Sequence, residues 1–258
     1  MNRYPYKAGF EKGATLRTAY DQIYRDLKQD IENGTYAYDS LLPSQSTLVG
    51  WYGCAHNTAR KAISLLANEG YCLPIHGKGV RVIYRPVRPD GSFTVKGIES
   101  FSEAAKRNGV SCDTKVIHFE EVICDEETSR RTDFATGEKL LKLDAIRMLE
   151  GRPLIRESGY VLARLVKGIT PEDVRRSVYD YIEQGNGKCI ATSKRSIVME
   201  RVRTNDRELL DLEGCDYLCK VIIKTYDTNA RLFEYRETRM HPDQFRFDYT
   251  SLREKALS

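Results

Sequence analysis

The stretch LLPSQSTLVGWYGCAHNTARKAISLLANEGYCLPIHGKGVRVIY, residues 41–84, decides the fold of the first part of the chain. Ser44 follows Pro43 and stands where a helix N-cap accepts a backbone N–H. A helix through QSTLVGWY is predicted from it, with Leu48 and Tyr52 turned inward and Gly53 as its stop. HNTARKAISLLANEG predicts a further helix. Ala59, Ala62, Ile63 and Leu66 fall on one stripe at helical spacing, and His56, Asn57, Arg60, Lys61 and Ser64 fall off it. Gly70 lies where a helix C-terminus favours glycine. Two short strand-like runs then flank His76-Gly77-Lys78-Gly79 and read as a hairpin.

Upstream, in TAYDQIYRDLKQDIENG, residues Tyr20, Ile23, Tyr24, Leu27 and Ile31 repeat at the spacing of one apolar helix face, and Asn33-Gly34 ends it. TYAYDSLLP between the first two helices reads as a short polar connection. Three helices followed by a basic hairpin make a winged helix. In a helix-turn-helix, polar side chains near the N-terminus of the second helix reach base edges in the major groove. His56, Asn57, Thr58 and Arg60 meet that need, and Lys61 suits a phosphate. Gly77 and Gly79 let the hairpin backbone approach DNA closely while Lys78 between them meets a phosphate or the minor groove. A three-helix bundle with a solvated charged face carries the same pattern.

Charge agrees with the DNA reading. Residues 1–89 hold 12 Lys/Arg against 7 Asp/Glu, a net of +5, and the remaining 169 hold 29 against 30, so the positive excess lies in the first part. A chain of 258 residues suits two domains. Residues 1–85 are read as the winged helix, 86–92, rich in proline and glycine, as a linker, and 93–258 as a second domain. No apolar run is long enough to span a membrane, so a cytoplasmic location is expected. The seven cysteines are scattered without a CxxC, which points to reduced thiols rather than a metal site.

The second part alternates differently. IESFSEAAKRNG reads as a short helix and TKVIHFEEVICD as a strand. A hairpin turns at Glu150-Gly151, a single helix runs through PEDVRRSVYDYIEQ, and KRSIVMERVRT is a strand. NDRELLDLEG is a helix, and a last hairpin turns at Asp227–Ala230. This is an α+β domain with an antiparallel sheet.

The order Leu42-Pro43-Ser44, Asn57-Thr58, Arg60-Lys61-Ala62, Leu66, Glu69-Gly70 and Gly77-Lys78-Gly79 resembles the DNA-binding domain of the GntR family. The resemblance implies that Ser44, Gln45 and Ser46 also face DNA. Gln45 and Ser46 stand where the family has Glu and a DNA-contacting Arg, and Ala55-His56 replaces Ser-Arg, so the operator should differ from the family's usual site. Ala55 also removes an N-cap.

The second domain resembles the UTRA sensing domain of the HutC branch, whose fold is related to chorismate lyases. GIESFSEAAKRNG, SVYDYIE, and Glu234-Tyr235 through Arg239 and Asp243 to Phe245 and Phe247 carry the likeness. GIESF and HPDQFRF look most like repressors of trehalose operons. That likeness implies a sugar-phosphate effector such as trehalose 6-phosphate. Ser100, Phe101 and Ser102 open a helix whose N–H groups suit an anion. Arg147 matches a family arginine of the effector pocket, and Ser177 and Glu234 match positions that hydrogen-bond the ligand. The family's companion arginine is Ala145 here. No HExxH, P-loop, GxSxG or GxGxxG motif occurs, so no enzyme, catalytic residue, metal or cofactor is expected. The expectation is a homodimeric transcription regulator that binds a double-stranded operator and a small-molecule effector. Two alternatives are a second domain that only dimerises and an effector that is not a sugar phosphate.

Overall fold

The computed structural model describes residues 16–85, 93–94, 97–186 and 190–247, and the chain falls into two compact units that divide after residue 88. The expected linker 86–92 and the end of the chain from 248 lie outside the described residues.

The first unit contains helices α1 (Leu16–Glu32), α2 (Gln45–Tyr52) and α3 (His56–Asn68), then strands β1 (Cys72–Ile75) and β2 (Gly79–Val82). The helices begin and end where the sequence places their signals. Ser44 Oγ accepts from Thr47 N at 3.0 Å, and Gly53 closes α2 in the left-handed region at φ 57°, which lets the chain turn within a few residues into α3. Ile23, Leu27, Leu48, Ala59, Ala62 and Leu66 form the buried centre. The connection before α2 is more ordered than expected. Leu42 N donates to Val80 O at 2.8 Å and Val82 N to Ser40 O at 2.9 Å, so residues 39–42 lie as a third ribbon against the β1–β2 hairpin.

In the second unit, β3 (Phe93–Thr94) precedes α4 (Phe101–Asn108), β4 (Cys112–Ile123), α5 (Glu126–Thr132), β5 (Lys139–Leu149) and β6 (Arg152–Leu162). Then follow α6 (Pro171–Arg176), α7 (Val178–Asn186), β7 (Ile190–Arg201), α8 (Thr204–Leu209), β8 (Tyr217–Asp227), β9 (Leu232–Met240) and β10 (Phe245–Arg246). Six strands make an antiparallel sheet in the order β4-β5-β6-β9-β8-β7, and β10 pairs in parallel with β3.

Two local readings change. The single helix expected through PEDVRRSVYDYIEQ is two helices, because Ser177 leaves the helical conformation at φ −173°, ψ 120°. Its Oγ then accepts from Asp180 N at 3.1 Å and starts α7 afresh. EETSRRT, unassigned from sequence, forms α5, capped by Asp125 Oδ1 on Thr128 N at 2.7 Å with basic residues in its last turn. Gly159 on β6 permits close pairing with β9. A Cβ there would run into the Tyr235 carbonyl oxygen and lie 2.8 Å from Arg236 Cα. The six described cysteines are free thiols.

Candidate nucleic-acid interface and ligand cavity

The N-terminal half of α3 presents His56, Asn57, Arg60 and Lys61 on the surface of the first unit. Arg60 Nη2 donates to Asn57 Oδ1 at 2.8 Å, which holds guanidinium and amide side by side. The Lys61 ammonium lies 4.0 Å from the Tyr20 ring centroid, a cation–π contact that restrains a flexible chain. Thr58 departs from the expectation. It stands four residues before Ala62 on the same helix row, and its side chain is buried in the bundle rather than set beside His56 and Asn57. Ser44 and Ser46 are exposed at the start of α2, and Gln45 is half-buried. In the wing turn Lys78 and Gly79 are exposed, and positive φ angles at Gly77 and Gly79 form the tip. Ala55 precedes α3 in the N-cap position with no side-chain hydrogen bond.

In the second unit a cavity open to solvent lies between the start of α4, the break between α6 and α7, and strands β5, β6 and β9. Five of the residues expected to bind a ligand line it: Ser100, Phe101, Arg147, Ser177 and Glu234. Ser102 is not among its lining residues; its Oγ lies 3.1 Å from Ser100 Oγ. Ser100 caps α4 and shares a capping box with Glu103, which leaves the front of the helix fixed against the cavity.

Charged groups alternate in sign across three neighbouring strands. Arg147 on β5 pairs with Glu157 on β6, Nη2 to Oε2 at 2.6 Å, and donates to Thr114 Oγ1 at 2.6 Å. Glu157 also meets Arg236 on β9 at 3.4 Å, and Arg236 meets Glu234 at 3.6 Å. Glu234 in turn accepts from Tyr179 Oη and Thr225 Oγ1, each at 2.6 Å. Burial alone would push the Glu157 carboxyl up, but the guanidiniums of Arg147 and Arg236 outweigh it and hold it below the usual carboxylate range. The same carboxylates hold the Arg236 guanidinium above its ordinary value against the effect of burial. Burial, and then the Glu234 carboxylate, push the Tyr179 phenol up, so it stays a donor.

Glu157, Tyr179 and Arg236 were not singled out from sequence. A signal existed for Arg236, which stands two residues after Glu234 in a strand and so shares its face. Glu157 needed the sheet register, which sets Gly159 opposite Arg236 and Val161 opposite Glu234. With Arg176 at the rim, three guanidiniums face two carboxylates, and Ser177 and Tyr179 add hydroxyls. This set can hold an anion and several sugar-like hydroxyls at once.

Residues 19–82 match the family described as bacterial regulatory proteins, gntR family, and residues 107–246 match the UTRA domain. The chain is 33% identical to the HTH-type transcriptional regulator TreR of Bacillus subtilis over 87% of its own length and 93% of that protein. It is 25% identical to the HTH-type transcriptional repressor NagR of the same organism over 88% of its length and 92% of the relative. Among solved structures, possible transcriptional regulator YydK from B. subtilis superposes with a TM-score of 0.71 at 21% identity, covering 89% of this chain and 99% of that one. The B. subtilis trehalose repressor effector-binding domain superposes with a TM-score of 0.50 at 29% identity, covering 55% of this chain and 98% of that one.

Proposed function

Because the chain belongs to the GntR family of bacterial regulatory proteins and carries a UTRA domain, we propose that it is a transcriptional repressor released from its operator by a phosphorylated sugar. DNA binding and regulation follow from the family, and its relatives are named as transcriptional regulators or repressors rather than enzymes. The sugar phosphate is the proposal's own step. The observation that carries it is the alternation Arg147–Glu157–Arg236–Glu234 inside one cavity, beside the capped front of α4. Guanidiniums and helix N–H groups suit a phosphate, and carboxylates accept from sugar hydroxyls. TreR is a relative at 33% identity, and the solved effector-binding domain that superposes is that of a trehalose repressor, which makes trehalose 6-phosphate the first compound to try.

The regulator acts as a homodimer, since helix-turn-helix proteins read two half-sites related by twofold symmetry. His56, Asn57, Arg60 and Lys61 read or grip one half-site, with Ser44, Gln45 and Ser46 at the start of α2 and Lys78 and Gly79 in the wing. Thr58 supports them from the core. Ligand binding shifts the dimer toward a state whose reading heads no longer match the operator spacing, and operator affinity falls by the difference.

The test joins thermal melting to operator binding. Trehalose 6-phosphate should raise the melting temperature and dissociate the operator, and trehalose should do neither. Arg147→Ala and Glu234→Ala should each weaken the effector at least about tenfold, as expected for a lost charge-assisted hydrogen bond of about 1.5–3 kcal/mol. Operator binding without effector should persist in both. A wild-type protein whose melting ignores every sugar phosphate overturns the effector assignment and leaves the DNA reading standing.

A further inference from the structure

A second chamber, also open to solvent, adjoins the first on the same face of the sheet, past Phe101 and Glu157. Its walls are of a different kind. Phe101, Ile155, Val221, Ile223, Met240 and Phe245 make the apolar part of its lining, and Glu99, Glu157 and Arg246 stand among them. At one side stand two arginines, Arg195 on β7 and Arg236 on β9. In the sheet register Ile223 lies between them, opposite Arg195 on one side and Arg236 on the other. The two backbones are therefore about 10 Å apart, within converging reach of two long side chains that leave the same face.

Both guanidiniums have partners, but neither has a hydrogen bond at its Nε, the Arg236 Nε standing 3.6 Å from Glu234 Oε1. Arg195 Nη2 donates to Gly97 O at 2.5 Å, and Arg236 leans on Glu157 and Glu234. The Nε atoms of both are buried and hydrogen-bond to nothing. Only one other buried side-chain nitrogen or oxygen among the described residues is in that condition, and it belongs to Arg81 in the wing. A buried N–H without an acceptor is costly, so such a donor on a chamber wall suits a ligand that brings an acceptor. Burial, and then the positive charge of Arg236, also hold the Arg195 guanidinium below its ordinary value, a penalty that an anion between the two would relieve.

We propose that this second chamber binds a carboxylate carried on an aliphatic or aromatic body. The free Nε of Arg195 and the Arg236 guanidinium beside it suit the oxygens of one carboxylate, and the apolar part of the wall takes the body. The chamber shares Ser100, Phe101, Glu157 and Arg236 with the cavity assigned to the phosphorylated sugar, and Arg195 and the apolar wall beyond Phe101 belong to it alone. It gives the regulator a second input.

The full-length protein is titrated calorimetrically with octanoate and 4-phenylbutyrate, and with octanol and 4-phenylbutanol as neutral counterparts. The carboxylates should bind and raise the melting temperature, and the alcohols should bind at least tenfold more weakly. Arg195→Met should weaken the carboxylates at least tenfold while operator affinity stays unchanged. Ile197→Glu alters an exposed residue at the rim of the chamber, so it keeps the fold while placing a repelling charge beside the ligand, and it should weaken carboxylates likewise. Trehalose 6-phosphate, if bound, should leave the stoichiometry of the carboxylate titration unaltered. The proposal is overturned if no carboxylate binds, if alcohols bind equally well, if both variants bind as wild type does, or if the sugar phosphate displaces the carboxylate one for one.

Discussion

Arg60 and Asn57 form one unit on α3, and the hydrogen bond between them fixes the guanidinium before any DNA arrives. Arg60→Ala should weaken operator binding by about 1–3 kcal/mol in an anisotropy titration at moderate salt, and unchanged affinity would remove Arg60 from the interface. Lys78 is exposed in the wing turn, where the proposed function has it meet a phosphate. Lys78→Ala should weaken all sequences alike and lower the salt slope by about one charge. Ala55 leaves the front of α3 without a side-chain cap. Ala55→Ser should therefore raise stability by about 1 kcal/mol, read in a denaturant melt. An unchanged midpoint would mean that the orphan N–H groups are already well solvated. The exposure of Asn57 and Arg60 and the missing cap at Ala55 were legible because each depends only on its own helix. Thr58 was misplaced because its row is decided by Ala62 one turn later, and a polar residue near a helix start looks exposed until the row is drawn.

At the scale of elements, the sequence signals served best where a cap or a glycine marks a boundary. Ser44, Gly53 and the glycines of the wing tip all lie where the helices and the hairpin turn. They served worst where a side chain substitutes for the usual marker. Ser177 ends α6 and opens α7 without a glycine or proline, so the periodicity of VRRSVYDYI ran straight through it. That break also brings Ser177 and Tyr179 to the cavity wall. The cavity itself was half legible. Arg147 and Glu234 came by resemblance, but Glu157 is set by which strand lies beside which. The same pairing depends on Gly159, whose neighbours leave no space for a side chain. Gly159→Ala should lower the melting temperature of the second unit and abolish sugar-phosphate binding while the first unit keeps its own transition. A variant that melts and binds as wild type does would show that β6 and β9 can separate at no cost.

For the whole molecule, carboxylates carry much of the pH dependence. Burial would raise Glu157 and Asp206, but Arg147 and Arg236 hold the first down, and hydrogen bonds from Arg239 hold down the second. Groups lowered on folding contribute stability above their unfolded values, near 4, and lose it as the pH falls through the folded ones. The melting temperature should therefore be level from neutrality to about pH 5 and fall steeply below about pH 4. A chain that melts alike at pH 3 and pH 7 would contradict this. The charged row from Arg147 to Glu234 has one more consequence, which concerns competition. The cavity already holds a negative group of its own, because Glu157 sits on the guanidinium that a phosphate would seek. An incoming anion must displace a tethered rival, so random small anions are kept out and only a ligand whose hydroxyls re-engage the freed carboxylate holds on. Glu157→Gln removes the rival: inorganic phosphate should then bind more tightly than to wild type, and the preference for a phosphorylated sugar over bare phosphate should shrink.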